Sequence, residues 1–145
     1  MNFDPGTVDT VFESTTGNQM VVISDMRVWS LCEHHLLPFS CTLTVAYRSQ
    51  ESLLGLSKFA RVAHRYAHRL QVQERLVSEI ASEIERLTGS ADVAVVGRGE
   101  HLCMTMRGIK TPALMTSTVF RGVFEKDSCE RSQLLALLAG ARPAA

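Results

Sequence analysis

Residues 57–89, SKFARVAHRYAHRLQVQERLVSEIASEIERLTG, decide how the rest of the chain is read. Phe59, Val62, Ala63, Tyr66, Ala67 and Leu70 recur at i, i+3, i+4, i+7, i+8 and i+11, the period of an amphipathic helix. Ser57 is placed to cap its start and Gly89 to end it. An unbroken stripe would continue at positions 73 and 74, where Gln73 and Glu74 stand, and it resumes at Val77, Ala81 and Ile84. Either the helix kinks near Leu70 and resets its phase, or two polar side chains face inward at mid-helix.

On both sides of this stretch the period falls to two. Residues 19–30 (QMVVISDMRVWS) place Val21, Ile23 and Trp29 on one parity and Val22, Met26 and Val28 on the other, which predicts a strand buried on much of both faces. Residues 32–38 interrupt it, because Pro38 biases Leu37 away from the helical region. Residues 42–47 alternate, with Leu43, Val45 and Tyr47 on one face, and predict a second strand antiparallel to the first. Residues 93–96 and 101–109 read as two further strands joined at Gly97 and Gly99. In the second, Leu102, Met104 and Met106 share one face and His101, Cys103, Thr105 and Arg107 the other. Residues 116–124 are a fifth strand candidate and 128–138 a short terminal helix. Two strands, a long helical segment and further strands predict an α+β fold, with helices packed on one face of an antiparallel sheet.

At 145 residues and 16.0 kDa the chain fits a single domain over residues 1–145, in which 1–18, with Pro5, Gly6 and Gly17 among polar residues, form a loosely ordered arm. A composition of 46% hydrophobic and 21% charged residues is that of a globular protein. Basic and acidic residues balance at 15 each, so no global field draws the chain to nucleic acid or to an anionic membrane, and an anionic ligand must be held by local arrangement. The longest apolar run, around 134–141, is too short for a bilayer, and the opening MNFDPG has neither a basic nor an apolar leader region, so a soluble cytoplasmic protein is expected. Four cysteines in a domain that builds its own core point to metal ligands, a nucleophile or core thiols rather than a disulfide framework. Cys41 and Cys129 have no ligand-like neighbours and read as packing thiols.

Two clusters carry chemistry: Cys32-Glu33-His34-His35 in a turn, and His101-Leu102-Cys103. A Cys-x-x-His turn can wrap one zinc ion, and His101 with Cys103 offers a second pair of donors. A closed structural site of Cys32, His35, His101 and Cys103 is one reading, and core cysteines with surface histidines is another. Three imidazoles and two thiols exceed the four positions of a structural zinc, however, which leaves histidine for acid–base work beside a metal with an open position. Lys58 and Arg61 oppose the dipole of the first helical turn, an arrangement that a bound anion would explain, and Arg107 can join them. Glu74 is either a surface carboxylate or an anchor for a donor–donor edge such as that of guanine.

The strings SLCEHHLLPF, VAY, GLSKFAR, RLQVQERL and HLCMTMRG, in that order between about Met20 and Phe124, closely resemble GTP cyclohydrolase I. The resemblance implies the tunnelling fold, in which subunits join their sheets into a barrel and active sites form between subunits of a homo-oligomer. It implies Zn2+ on Cys32, His35 and Cys103, an acid–base pair of His34 and His101, and a grip on guanine by Gln73 and Glu74. Ser57, Lys58, Arg61 and Arg107 would serve the sugar and phosphates, with Ser57 also assisting rearrangement of the opened ribose. The implied reaction is hydrolysis of the imidazole ring at C8 of a guanine nucleotide, giving formate and dihydroneopterin triphosphate from GTP. Three departures stand out: the chain starts after the helical region with which longer family members begin, Cys41 replaces a glycine, and Leu114 stands where a serine is usual. They predict weaker selection for the triphosphate and keep two alternatives open: the same hydrolysis on a smaller or modified purine, and a silent purine-binding or regulatory oligomer.

Overall fold

The computed structural model describes residues 11–13, 18–50 and 52–140. The elements in chain order are β1 (Val11–Glu13), β2 (Met20–Cys32), β3 (Pro38–Arg48), β4 (Ser52–Leu54), α1 (Leu56–Ala67), β5 (Leu70–Gln71), α2 (Gln73–Thr88), β6 (Val93–His101), α3 (Leu102–Thr105), β7 (Leu114–Phe120), α4 (Val123–Lys126) and α5 (Ser128–Gly140). Five strands form one sheet in the order β5-β2-β3-β6-β7, antiparallel except for the short parallel pairing of β5 with β2. β1 and β4 form a separate two-stranded ribbon, so part of the expected N-terminal arm is strand, and the rest of it lies outside the described residues.

α1 and α2 lie on one face of the sheet. Phe59, Val62, Ala63, Leu76, Val77 and Ile80 pack there against Leu43, Val45, Tyr47 and Val95. The opposite face carries a smaller cluster at one end, where Phe124 and Leu134 of α4 and α5 meet Ala46 and Ala94. No helix among the described residues is long and apolar enough to cross a membrane.

The long helical segment is two helices with a strand between them. α1 ends at Ala67, Leu70 and Gln71 pair with Leu31 and Cys32, and α2 begins at Gln73. The phase reset near Leu70 is therefore a complete break. Gln73 faces inward and is buried, whereas Glu74 is exposed. Gly55, not Ser57, occupies the N-cap of α1, and Ser57 lies inside the first turn without a capping hydrogen bond. Gly89 closes α2 as expected, in the left-handed region at φ 70°.

Four further expectations are corrected. In β2 a bulge between Ile23 and Met26, with Asp25 at φ 60°, switches parity, so Val21, Ile23, Met26 and Val28 all face the main core. Trp29 is consequently exposed, with the Arg27 guanidinium over its ring. Residues 93–101 are one strand through both glycines, and 101–109 are not a strand. Phe39, which follows the Pro38 that begins β3, pairs with His101, and Leu114 at the start of β7 pairs with Glu100, so the ladder on both sides ends by His101 and the chain turns into α3. The last strand, β7, ends at Phe120, and Phe124 belongs to α4. Cys41 is a core thiol whose pKa burial pushes up to about 12, but Cys129 is exposed on α5.

Candidate active site

The site forms where β2, the start of α2 and the end of β6 converge. β2 ends at Cys32, and a tight turn follows in which Leu36 N–H donates to the Cys32 carbonyl at 2.8 Å and Cys32 N–H to the Leu37 carbonyl at 2.9 Å. Leu36 takes a left-handed φ of 54°, which reverses the chain into β3. This turn folds His35 back so that its Nδ1 lies 3.6 Å from Cys32 Sγ. Cys103 arrives from α3, and the ligand atoms of Cys32, His35 and Cys103 all lie within 4.8 Å of one another. Two thiolates and an imidazole suit zinc, and three protein donors leave a fourth position open. Neither His34 nor His101 belongs to that group, so the geometry does not favour the closed arrangement with His101 as a fourth ligand.

His101, at the last position of β6, is held on two sides. Its ring stacks on Phe39 with centroids 4.6 Å apart and planes 7° from parallel, and its Nε2 lies 2.8 Å from Gln73 Oε1. The Gln73 Nε2 donates toward the Gly97 carbonyl at 3.1 Å, the Met115 carbonyl at 3.0 Å and Ser117 Oγ at 3.0 Å. Gly99 makes the arrangement possible, since a Cβ there would overlap the Gln73 side-chain oxygen. Burial is the larger influence on the His101 imidazole and holds its pKa below the ordinary histidine value, while the Glu74 carboxylate pulls the other way.

Cys32, His34, His35, Gln73, Glu74, His101 and Cys103 line one cleft of about 350 Å³, with Val72, Met104, Ala113, Leu114 and Met115 as apolar wall. Seven of the eleven residues singled out from sequence are thus brought together. Ser57, Lys58 and Arg61 on α1 and Arg107 after α3 are not in the lining. Sequence reasoning missed Phe39, Ser117 and the pair Glu33–Arg75. Arg75 donates to both Glu33 carboxylate oxygens, at 2.6 and 2.8 Å, and holds the Glu33 carboxyl below the usual glutamate value. The position of Glu33 inside the Cys-Glu-His-His string was the available signal.

A five-stranded sheet with two helices on one face, and a Cys-His-Cys cluster flanked by two further histidines, define a tunnelling-fold protein with a candidate metal centre. A solved structure of an archaeosine synthase QueF-Like protein in the apo form shares the fold, with a TM-score of 0.55 and 16% identity over 68% of this chain and 91% of that one. Residues 1–139 match the GTP cyclohydrolase I family. The GTP cyclohydrolase 1 of Pseudoalteromonas atlantica is 45% identical over 129 residues, covering 88% of this chain and 70% of that protein. Those of Hyperthermus butylicus and Methylococcus capsulatus are 43% and 44% identical, over 86% and 90% of this chain and 64% and 70% of theirs. The chain belongs to the GTP cyclohydrolase I family.

Proposed function

We propose that this chain is a zinc-dependent hydrolase of the GTP cyclohydrolase I type, opening the imidazole ring of a guanine nucleotide at C8. The observation that carries the reading is the convergence of Cys32, His35 and Cys103 with His34, His101 and Glu74 in a single cleft. Cys32, His35 and Cys103 would hold the zinc. Bound there, the ion supplies a water acidic enough to act as nucleophile near neutral pH. His101 handles the proton at N7 and His34 those at the ribose. The Glu74 carboxylate accepts two parallel hydrogen bonds from the N1–H and 2-amino group of guanine. α2 starts with no side-chain cap, so the amides beside Gln73 and Glu74 suit the O6 of the same base.

Ser57, Lys58, Arg61 and Arg107 lie outside the cleft lining of their own chain, and we assign them to sugar and phosphates in a site completed between subunits of a homo-oligomer. Subunit pairing has a physical reason: among the described residues β5 covers only Leu31 and Cys32 of β2, and β7 ends the sheet on the other side, so both edges offer backbone groups to a second copy. The partner this reading calls for is a purine nucleotide, and the compartment it calls for is the cytoplasm.

A second reading, preference for a purine with fewer phosphates, is favoured by Leu114, an apolar wall residue of the cleft where the family usually has serine. Mass spectrometry of products from zinc-loaded protein offered GTP, GMP, guanosine and modified purines separates the two. Formate with dihydroneopterin triphosphate from GTP is expected under the first. A formamidopyrimidine, or turnover only of the smaller purines, marks the second, and the absence of any ring-opened product refutes both.

A further inference from the structure

We infer that Gln73 is a positioning residue for His101: it fixes the imidazole as the Nε2–H tautomer and leaves Nδ1 as the open nitrogen. This rests on the reading of His101 as an acid–base residue, and it gives Gln73 a task other than gripping guanine.

Gln73 is buried, and its terminal nitrogen lies 3.1 Å from the Gly97 carbonyl, 3.0 Å from the Met115 carbonyl and 3.0 Å from Ser117 Oγ. A carbonyl oxygen only accepts, so the group facing two carbonyls must be the NH₂. Flipping the amide would set its oxygen against both, in a buried site where an unsatisfied acceptor is costly. The orientation is therefore decided by β6, which supplies the Gly97 carbonyl, and by β7, which supplies the Met115 carbonyl and Ser117 Oγ.

With the nitrogen committed, Oε1 is the atom left facing His101, 2.8 Å from its Nε2. An amide oxygen accepts hydrogen and donates none, so the network assigns the hydrogen to Nε2. In the neutral ring the lone pair then belongs to Nδ1. The ring cannot easily rotate out of this arrangement, because Phe39 stacks on it in near-parallel contact. Both amide hydrogens of Gln73 are used within the protein, and its contribution to the reaction passes through His101.

The test uses the zinc-loaded full chain, labelled with 15N-histidine. Ring-nitrogen shifts of His101, assigned by comparison with His101→Gln and recorded without substrate, should show Nε2–H in the wild type at a pH where the ring is neutral. In Gln73→Met the ring should become a mixture of tautomers. In kinetics, Gln73→Met should lower kcat by roughly ten- to a hundredfold, with KM for the nucleotide unchanged within about twofold and zinc content retained. An Nδ1–H ring in the wild type overturns the inference, as does a raised KM at unchanged kcat, which would return Gln73 to guanine binding. The wild-type spectrum needs neither a variant nor turnover. Misfolding of Gln73→Met therefore leaves the test standing, and a wild type without cyclohydrolase activity would refute the proposed function while the tautomer is still decided.

Discussion

Arg75 and Glu33 form a two-point ion pair, at 2.6 and 2.8 Å, that joins the first turn of α2 to the turn carrying His34 and His35. The pair is on the surface, yet it ties the segment bearing Glu74 to the segment bearing His34 and His35. Exposed ion pairs contribute little to folding, so its weight should fall on geometry. Glu33→Gln and Arg75→Ala should leave the melting temperature nearly unchanged and lower kcat/KM by about tenfold, the scale of a lost orienting contact. The charge-swapped double variant should recover part of that loss, and equal losses in stability and activity would count against the positioning role.

Metal and rate should separate among the cluster residues. Cys103→Ala should lose metal and activity together, whereas His34→Ala and His101→Ala should retain about one zinc per chain and lose rate by a hundredfold or more. Metal analysis of each purified variant checks this. Loss of zinc in His101→Ala would instead support the closed four-ligand site.

At Glu74 the expected signature is specific to guanine. Glu74→Gln replaces one acceptor with a donor facing donors, which should weaken guanine nucleotides by roughly 2 kcal/mol, about thirtyfold. A hypoxanthine nucleotide, which lacks the 2-amino group, should suffer less. Equal weakening of the two, measured by isothermal titration, would remove Glu74 from base recognition.

Leu114 offers a test of phosphate selection. Leu114→Ser places a hydroxyl in the cleft wall and should raise kcat/KM for GTP relative to GMP by about tenfold, the worth of one charge-assisted hydrogen bond of about 1.5 kcal/mol. An unchanged ratio would show that the triphosphate is held elsewhere.

The acid limb of stability should report Glu83. Its carboxylate accepts from Arg86 at 2.9 and 3.0 Å and from Tyr66 Oη at 3.3 Å, and the Arg86 hydrogen bond is the main reason its pKa lies below the ordinary value. A lowered folded pKa means stability that is present above the unfolded value of about 4.3 and is lost as pH falls through the folded one. Glu83→Gln should therefore lower stability at pH 7, and the gap to wild type should close progressively below about pH 4. Denaturant titrations at several pH values check it, and a gap independent of pH would assign the loss to packing.

Much of this molecule was legible in one dimension because its determinants are local. The 3.6-residue stripe through Phe59, Val62, Ala63 and Tyr66 announces a helix, Gly89 ends it through backbone freedom alone, and Cys-x-x-His brings two donors together within a single turn. The recurrence of several separate motifs likewise pointed to the family and to all seven polar cleft residues. What tertiary structure decided depends on partners distant in sequence. β6 stops at His101 because its pairing with β3 and β7 ends there, and so Cys103 approaches Cys32 and His35 from a helical turn although Leu102, Met104 and Met106 alternate like a strand. The helix breaks before Gln73 because Leu70 and Gln71 find an edge on β2. The partners of Gln73 are 24 to 44 residues away, on β6 and β7, and periodicity carries no trace of them. Hydrophobic period reports which way a side chain faces along its own element, whereas pairing and hydrogen-bond direction are settled only when elements meet.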